Sequence, residues 1–269
     1  MDEFVTCPPY FDERLWVEFI ASYSKENSID IIWPVTESEI RILKDHPDLT
    51  ENITVIMNND KVLDISLDKE KTSRFLKESG ITTPKIWESV NDSNITFPVT
   101  VKERVSCGSH AVKIAHDTCE LKDIYKSMKD PLIQEYIEGE DEEYTLTVFS
   151  DKKTVNHIAF KRELGFGGMS RFVELVKDER FEIMANKLSS VFDLSGSINV
   201  QMRKHGEEYF IFEINPRISS TLGFRVKLGF DDVSWWLDMI EEKKIPQYIA
   251  PDKKVFGVRS VEEKLFFEE

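Results

Sequence analysis

Two short alternating segments near the end of the chain constrain its fold more than any other feature. Ser197–Gln201 and Phe212–Arg217 each alternate in the manner of a β-strand, and Gly206 between them marks a turn. Side chains two residues apart on a strand share one face of the sheet. If the two strands pair, that face collects four polar side chains, which are Asn199, Gln201, Glu213 and Asn215.

This polar patch has the composition of a magnesium site. One carboxylate and two amides supply hard oxygen ligands, and Mg²⁺ binds through few protein groups while phosphates and water fill its shell. Arg217 follows the second segment at once and can hold an anionic oxygen in a bidentate way. From these residues alone, a solvated polar hairpin remains an open alternative.

Composition and charge narrow the possible partners. The chain has 269 residues with 35 Lys and Arg against 50 Asp and Glu, a net charge of −15. The negative electrostatic field of such a chain disfavours binding to nucleic acid and to anionic membranes. A small anionic ligand can still bind where basic side chains gather. No apolar run is long enough to span a bilayer, and Met1 does not begin a signal peptide. The three cysteines lack metal-binding spacing, so we expect a cytoplasmic protein.

The N-terminal part predicts a small parallel α/β layer. A helix is expected over Phe11–Glu26, a strand over Ile29–Trp33, a second helix capped by Thr36, and a strand over Ile53–Met57. Alternating helices and strands are typical of a parallel sheet. Two strands are too few for an independent sheet, so a larger body or a partner chain must complete them.

The middle of the chain combines lysines with a small-residue loop. Asp68 is the expected N-cap of a helix that ends near Gly80, and Phe97–Lys102 reads as a strand with a lysine at its end. Ser106–His110 then forms a glycine-bearing loop between strands, an arrangement that can cradle phosphate. An ordinary β-turn explains the same residues.

Further strands and helices follow in a mixed order. Helices are expected over residues 118–128 and 178–192, and strands over 111–114, 132–137, 143–149, 154–162 and 255–262. The strands at 143–149 and 154–162 are expected to pair in antiparallel fashion across a turn at Ser150 and Asp151. The fold class predicted for this part of the chain is therefore α+β.

In this order of elements the chain resembles the ATP-grasp superfamily, in particular its carbamoyl-phosphate-synthetase and biotin-carboxylase branch. The resemblance covers Leu67–Glu262, and its most specific part is the Asn-x-Gln strand followed by Glu-x-Asn-Pro-Arg. It implies two α+β lobes that clasp a nucleotide, preceded by a partial Rossmann-like α/β segment. The implied divisions are a pre-ATP-grasp segment at 1–66, a small lobe at 67–136 and a large lobe with the metal site at 137–269.

The resemblance implies that named residues bind the nucleotide ATP together with Mg²⁺, with Mn²⁺ as the alternative metal. Lys69 and Lys102 match the family's phosphate-contacting lysines, and Gly108 and Ser109 match its phosphate-covering loop. Surface roles for the two lysines remain alternatives. The backbone of Glu135 and Ile137 would contact the adenine edge. Glu143 matches an acid that binds the ribose hydroxyls, although it ends an acidic run at 138–143 that is typical of a solvated face.

The same resemblance implies the metal and catalytic groups. Glu213 would bridge two Mg²⁺ ions, Gln201 and Asn215 would each complete a shell, and Asn199 would lie behind them or contact phosphate. The expected catalytic residues are Lys102, Arg162 and Arg217. Arg162 would meet the transferring phosphate or the substrate carboxylate, and Arg217 would hold the acyl phosphate or the substrate carboxylate.

The implied activity is an ATP-dependent ligase that activates a small-molecule carboxylate as an acyl phosphate for attack by an amine. Two alternatives stay open, namely a small-molecule kinase on the same fold and a nucleotide-binding subunit without full activity of its own. Because the N-terminal lobe is shorter than is usual in this branch, we expect a homodimer or a partner chain that completes it.

Overall fold

The computed structural model describes residues 4–50, 52–105, 112–139 and 143–260. The α-helices within these ranges are α1 Glu13–Glu26, α2 Glu37–Asp45, α3 Asp60–Ser66, α4 Lys69–Glu78, α5 Thr118–Ser127, α6 Glu179–Phe192, α7 Leu222–Val226 and α8 Asp232–Ile240. The strands are β1 Ile31–Ile32, β2 Thr54–Val55, β3 Ile86–Trp87, β4 Val99–Glu103, β5 Val112–Ala115, β6 Pro131–Glu135, β7 Glu143–Asp151, β8 Val155–Leu164, β9 Ser170–Val176, β10 Ser195–His205, β11 Glu208–Asn215 and β12 Phe256–Val258. The predicted α+β class is confirmed.

The largest sheet is antiparallel and carries the predicted polar patch. Its strands run in the order β11-β10-β7-β8-β9-β12. One face of β10 and β11 is apolar and packs on α4 and α6, and its buried residues include Ile198, Val200, Met202, Ile211 and Ile214. Because strand side chains alternate, burial of these residues turns the intervening polar side chains to the opposite face.

A four-stranded antiparallel sheet forms a second body in the order β3-β6-β4-β5. Its own core contains Trp87, Val99, Val101, Leu121 and Ile133, which are all nearly inaccessible to solvent. The alternation of β4 that buries Val99 and Val101 leaves Thr100 and Lys102 on the other face. Lys102 is therefore directed away from this core.

The N-terminal segment forms the predicted parallel pair. Ile31 pairs with Thr54 and Ile32 pairs with Val55, and the two strands form a sheet of two. Asn58 joins this segment to the large sheet, because its Nδ2 donates to the carbonyl oxygens of Ser197 at 2.8 Å and Pro216 at 3.0 Å. These bonds fix the segment beside the polar patch.

Some elements differ from the sequence prediction. Helices α3 and α8 and strands β3 and β9 were not predicted. The expected final strand spans only three residues, β12, and residues 261–269 lie outside the described part of the chain. The glycine-bearing loop with Gly108 and Ser109 lies outside the described residues as well. The proposed lobe boundaries remain a prediction.

No helix in the described residues is both long and apolar enough to cross a membrane.

Candidate nucleotide and metal site

The polar patch forms as the alternation of its strands predicts. Asn199 lies opposite Asn215 and Gln201 lies opposite Glu213 in the β10–β11 pairing, with a bulge beside Gln201. The two asparagines are almost fully buried, whereas Gln201 and Glu213 are half-buried. Thr145 on β7 donates its hydroxyl to Asn199 Oδ1 at 2.6 Å, which holds Asn199 behind the more accessible pair.

Each of the three predicted metal ligands lies beside a basic side chain. The contacts are Arg162 Nη2 to Gln201 Oε1 at 3.0 Å, Lys69 Nζ to Glu213 Oε1 at 3.7 Å, and Arg217 Nη2 to Asn215 Oδ1 at 3.2 Å. The oxygens that suit a divalent cation thus face protein cations. The same cations are suited to phosphate oxygens.

The donor set fits Mg²⁺ together with an anionic ligand. The patch offers one carboxylate and two amide oxygens, which is the hard-ligand set that Mg²⁺ prefers when phosphates complete its shell. Within the described residues, Arg217 Nε and Asn215 Nδ2 are buried donors that lack a hydrogen-bond partner. Buried donors of this kind are costly unless an acceptor reaches them. The described residues contain no cluster of three His, Cys, Asp or Glu side chains that could hold a metal, so a metal site here has to include the amides.

Lys102 extends from β4 to the backbone of β11. It is only 5% exposed, and its Nζ donates to the Phe212 carbonyl at 3.1 Å and lies 5.7 Å from the centre of the Phe212 ring. Burial lowers the pKa of Lys102 to about 8, against an attraction to Glu213 that raises it. The lysine is therefore close to its titration point at neutral to mildly alkaline pH.

Lys69 is placed by the cap of helix α4. Asp68 accepts hydrogen bonds from the backbone amides of Glu70 and Lys71, as predicted for an N-cap. Arg104, next to β4, binds Asp68 with Nε at 2.8 Å and Nη2 at 2.6 Å. This ion pair ties α4 to β4, and Lys69 and Lys102 both lie near enough to Glu213 to interact with its charge.

Glu143 and Arg162 form a buried ion pair on the polar face of the sheet. Arg162 donates to Glu143 Oε1 from Nη2 at 2.5 Å and from Nε at 3.0 Å, and Arg203 Nη2 lies 3.8 Å from Glu143 Oε2. The sequence prediction gave the acid and the arginine separate ligands, ribose and phosphate. The structure pairs Glu143 with Arg162 and places Arg203 nearby. If Glu143 binds the ribose hydroxyls, it has to do so while it also interacts with these two arginines.

The backbone of Glu135 and Ile137, which is predicted to contact adenine, already makes two hydrogen bonds within the protein. The Glu135 amide donates to the Lys85 carbonyl at 2.8 Å, and the Ile137 carbonyl accepts from Arg203 Nη1 at 3.2 Å. The adenine hypothesis therefore depends on the other group of each residue, the carbonyl of Glu135 and the amide of Ile137. An adenine edge offers the matching donor and acceptor.

One site residue was not predicted from the sequence. Glu37 is the first residue of α2 and is only 8% exposed, and its Oε1 lies 3.6 Å from Arg217 Nη2. Burial raises the pKa of Glu37 and repulsion by Glu213 adds to this, whereas Arg217, Lys69 and Arg41 oppose the rise. The capping box at Thr36 marks where α2 begins but not where Glu37 points.

A buried ion pair supports the loop that carries Arg217. Arg225 and Asp232 are both fully buried and meet at 2.8 Å and 3.0 Å. Asp232 also accepts from the Ser197 hydroxyl on β10 at 2.6 Å, and Arg225 Nη1 donates to Ser219 Oγ at 3.0 Å. These bonds join the loop after β11 to β10 and fix Arg217 beside the polar patch.

Comparisons with known proteins agree with this architecture. The ATP-grasp domain family matches residues 66–221, which is more than half of the chain. The carbamoyl phosphate synthase large chain of Helicobacter pylori is 27% identical over 192 residues, which is 62% of this chain and 18% of that protein. The chain therefore spans about a fifth of the length of the curated relatives it matches.

Solved structures show the same fold. The biotin carboxylase domain dimer of Hydrogenobacter thermophilus 2-oxoglutarate carboxylase, in complex with MgADP, ADP and bicarbonate, matches with a TM-score of 0.75 at 18% identity, over 90% of this chain and 60% of that one. An L-amino acid ligase from Bacillus licheniformis matches with a TM-score of 0.68 at 17% identity, over 87% of this chain and 61% of that one. The resemblance inferred from the motifs is confirmed, and the chain belongs to the ATP-grasp family.

Proposed function

We propose that this chain is an ATP-dependent ligase that activates a small-molecule carboxylate as an acyl phosphate and lets an amine displace the phosphate. The observation that carries the proposal is the convergence of three oxygen ligands with basic side chains from both sheets. These ligands, called the trio below, are Gln201, Glu213 and Asn215. Glu213 lies at its centre, with Lys69 at 3.7 Å. The names of the relatives, which include a carbamoyl phosphate synthase and an amino acid ligase, support the same class of reaction.

Lys69, Lys102 and the backbone of Glu135 and Ile137 would bind the nucleotide. Lys69 and Lys102 supply positive charge to the phosphates, and the Glu135 carbonyl and Ile137 amide would contact adenine. Gly108 and Ser109 would cover the phosphates, and Asn199, buried behind the trio, would hold the ligands or contact phosphate. Glu143 would direct Arg162 and reach the ribose hydroxyls.

Gln201, Glu213 and Asn215 would hold Mg²⁺ or Mn²⁺. The bound metal would supply charge neutralisation at the β- and γ-phosphates. When phosphate oxygens enter, Arg162 and Lys69 can transfer their contacts from Gln201 and Glu213 to these oxygens. The trio would then be released for the metal.

The chemistry then depends on positioning and charge. A carboxylate oxygen attacks the γ-phosphorus in line, the bond from that phosphorus to the bridging oxygen of ADP breaks, and an acyl phosphate forms. Arg217 and Arg162 stabilise the charge on the transferred group. The amine then attacks the acyl carbon, the bond to phosphate oxygen breaks, and the amine loses a proton as inorganic phosphate leaves.

The test compares Glu213→Gln with Glu208→Gln, a matched change at an exposed glutamate on the same strand. ADP release is measured with a panel of carboxylates, with hydroxylamine added to trap acyl phosphates as hydroxamates. We expect Glu213→Gln to lose activity by at least about 100-fold while Glu208→Gln stays normal. Near-normal activity in Glu213→Gln would refute the metal assignment.

The products separate the alternatives. A small-molecule kinase yields a stable phosphorylated product by phosphorus NMR and no condensation. A nucleotide-binding subunit binds MgATP but releases no ADP with any carboxylate. We also propose the three divisions 1–66, 67–136 and 137–269, a cytoplasmic location, and a homodimer or partner chain at the β1–β2 sheet. Light scattering after size exclusion tests the last point, and a clean monomer would contradict it.

A further inference from the structure

Asn58, between β2 and α3, connects the N-terminal segment to the backbone next to Arg217. The residue is only 4% exposed, and its Nδ2 donates to the carbonyl oxygens of Ser197 at 2.8 Å and Pro216 at 3.0 Å. Pro216 directly precedes Arg217, which is proposed to hold the acyl phosphate or the substrate carboxylate. A side chain from the N-terminal segment therefore holds the chain one residue before a proposed catalytic group.

The two carbonyls need this donor because the pairing of β10 with β11 ends beside them. The pairing runs as far as Asn199 opposite Asn215, and beyond it Pro216 has no amide hydrogen with which to continue the ladder. Ser197 and Pro216 are both buried, so carbonyls left without a donor here would be costly. The Asn58 amide supplies the donor from outside the sheet.

The side chain of Arg217 depends on how its backbone is held. Its Nη2 donates to Asn215 Oδ1 at 3.2 Å and its Nη1 donates to the Ile218 carbonyl at 3.3 Å. Both distances lie at the upper end of the range for hydrogen bonds, and Arg217 Nε is buried without a hydrogen-bond partner among the described residues. These contacts hold the guanidinium weakly, so its position follows from that of the preceding carbonyl.

Resting on the proposed function, we propose that Asn58 is a positioning residue for Arg217. It fixes the carbonyl before Arg217 and thereby directs the guanidinium to the transferred group. Docking of the N-terminal segment is then required for catalysis as well as for stability. The effect can be large, because a displacement of about 1 Å in a site can cost about 100-fold in rate.

The next residue along the chain provides a control with the same chemistry. Asn59 Nδ2 also donates to two carbonyl oxygens, those of Phe192 at 3.3 Å and Asp193 at 2.8 Å. These carbonyls lie at the end of α6 and are not next to any proposed site residue. The Asn59 side-chain oxygen caps α3, and a serine hydroxyl can replace such a cap. Asn58→Ser and Asn59→Ser thus remove equivalent donors, and only the first removes one next to Arg217.

The activity test measures hydroxamate formation with MgATP, hydroxylamine and a panel of carboxylates. We expect Asn58→Ser to lower kcat/KM for the carboxylate by about 10- to 100-fold, and Asn59→Ser to stay within about 2-fold of wild type. Affinity for a nonhydrolysable ATP analogue with Mn²⁺ should be unchanged in both variants. Asn58→Asp keeps the volume of the side chain and is the second variant if Asn58→Ser does not fold.

Two further measurements separate positioning from a merely structural role. In a double-mutant cycle, Asn58→Ser should have little additional effect on kcat/KM when Arg217→Lys is already present, because both changes act on the same group. The NMR resonance of Arg217 Nε–Hε, identified by its absence in Arg217→Lys, needs no activity. It should shift in Asn58→Ser and keep its wild-type position in Asn59→Ser.

The outcomes that overturn this role differ from those that overturn the ligase function. Equal losses of kcat/KM in Asn58→Ser and Asn59→Ser, independent effects in the cycle, or an unshifted Arg217 resonance in Asn58→Ser would refute the positioning role alone. Absence of hydroxamate from every acid, with MgATP bound, would refute the proposed ligase. The comparison of the Arg217 resonance would still decide whether Asn58 positions this side chain.

Discussion

Replacing Lys69 with methionine should have opposite effects on the metal and on the nucleotide. In the structure the Lys69 ammonium lies 3.7 Å from the Glu213 carboxylate, which is also the carboxylate proposed to hold the divalent cation. Without nucleotide, the lysine therefore competes with the metal for Glu213. With nucleotide, the same lysine binds phosphate and favours the complex.

The strength with which Lys69 competes against the metal can be estimated from the distance between Lys69 and Glu213 and from the solvent exposure of the two side chains. At 3.7 Å and an effective dielectric constant of about 20, the attraction is about 4 kcal/mol. Lys69 and Glu213 keep 11% and 23% of their side-chain exposure, so solvent and salt reduce this to about 1–2 kcal/mol. Lys69→Met should thus tighten binding of free Mn²⁺ by about 5- to 30-fold.

The assay is a titration of Mn²⁺ followed by electron paramagnetic resonance, in which the signal of free aqueous Mn²⁺ disappears on binding. The matched control is Lys71→Met, because Lys71 is an exposed lysine of the same helix. It should leave free Mn²⁺ binding unchanged. With a nonhydrolysable ATP analogue present, Lys69→Met should bind nucleotide more weakly than wild type. Free Mn²⁺ affinity in Lys69→Met that equals or falls below the wild-type value would refute the reasoning.

Three further predictions concern the lysine on β4 and the packing around the site. Because the pKa of Lys102 is about 8, its ammonium is present below pH 8 and lost above it. Nucleotide affinity, measured by titration with a fluorescent nucleotide, should therefore fall several-fold between pH 7 and 9. In Lys102→Arg the same affinity should depend less on pH. Asp232→Asn leaves the buried Arg225 charge unpaired and should cost about 3–5 kcal/mol in urea unfolding, whereas an unchanged midpoint would contradict the role of this ion pair. Gly196 has φ +128°, and an added Cβ would lie 2.3 Å from the Trp236 ring, so Gly196→Ala should lower the free energy of unfolding by at least about 2 kcal/mol. At Gly206 φ is +59° and no atom lies within 4 Å of an added Cβ. Gly206→Ala should therefore lower the free energy of unfolding by less in the same measurement.

The local parts of the site could be predicted because they depend on short-range patterns. Alternation of polar and apolar residues indicated which side chains of β10 and β11 share a face, and the structure pairs the two strands with Gln201 opposite Glu213. The N-cap at Asp68 and the capping box at Thr36 were confirmed for the same reason, since each involves backbone groups within three residues.

The cation contacts of the trio could not be predicted from these patterns. Lys69 and Glu213 are far apart in sequence, and they meet because helix α4 packs against β11. The pairing of Arg162 with Glu143 depends on the register between β7 and β8, which the predicted turn left undefined. Both contacts are therefore tertiary in origin.

Glu37 shows the same limit more clearly. The sequence identified the start of α2, but the direction of its first side chain depends on how the N-terminal segment docks through Asn58. Helix α3 was missed because a helix of seven residues gives a weak periodic signal.

The most direct test of the account is a crystal structure with Mn²⁺ and a nonhydrolysable ATP analogue, in which anomalous scattering locates the metal. We predict peaks within about 2.0–2.3 Å of oxygen atoms of Glu213 and of at least one of Gln201 and Asn215, with Lys69 and Arg162 turned from the trio to phosphate oxygens. A bound nucleotide whose metal peaks lie away from Glu213, with Lys69 still paired to that carboxylate, would contradict the central claim.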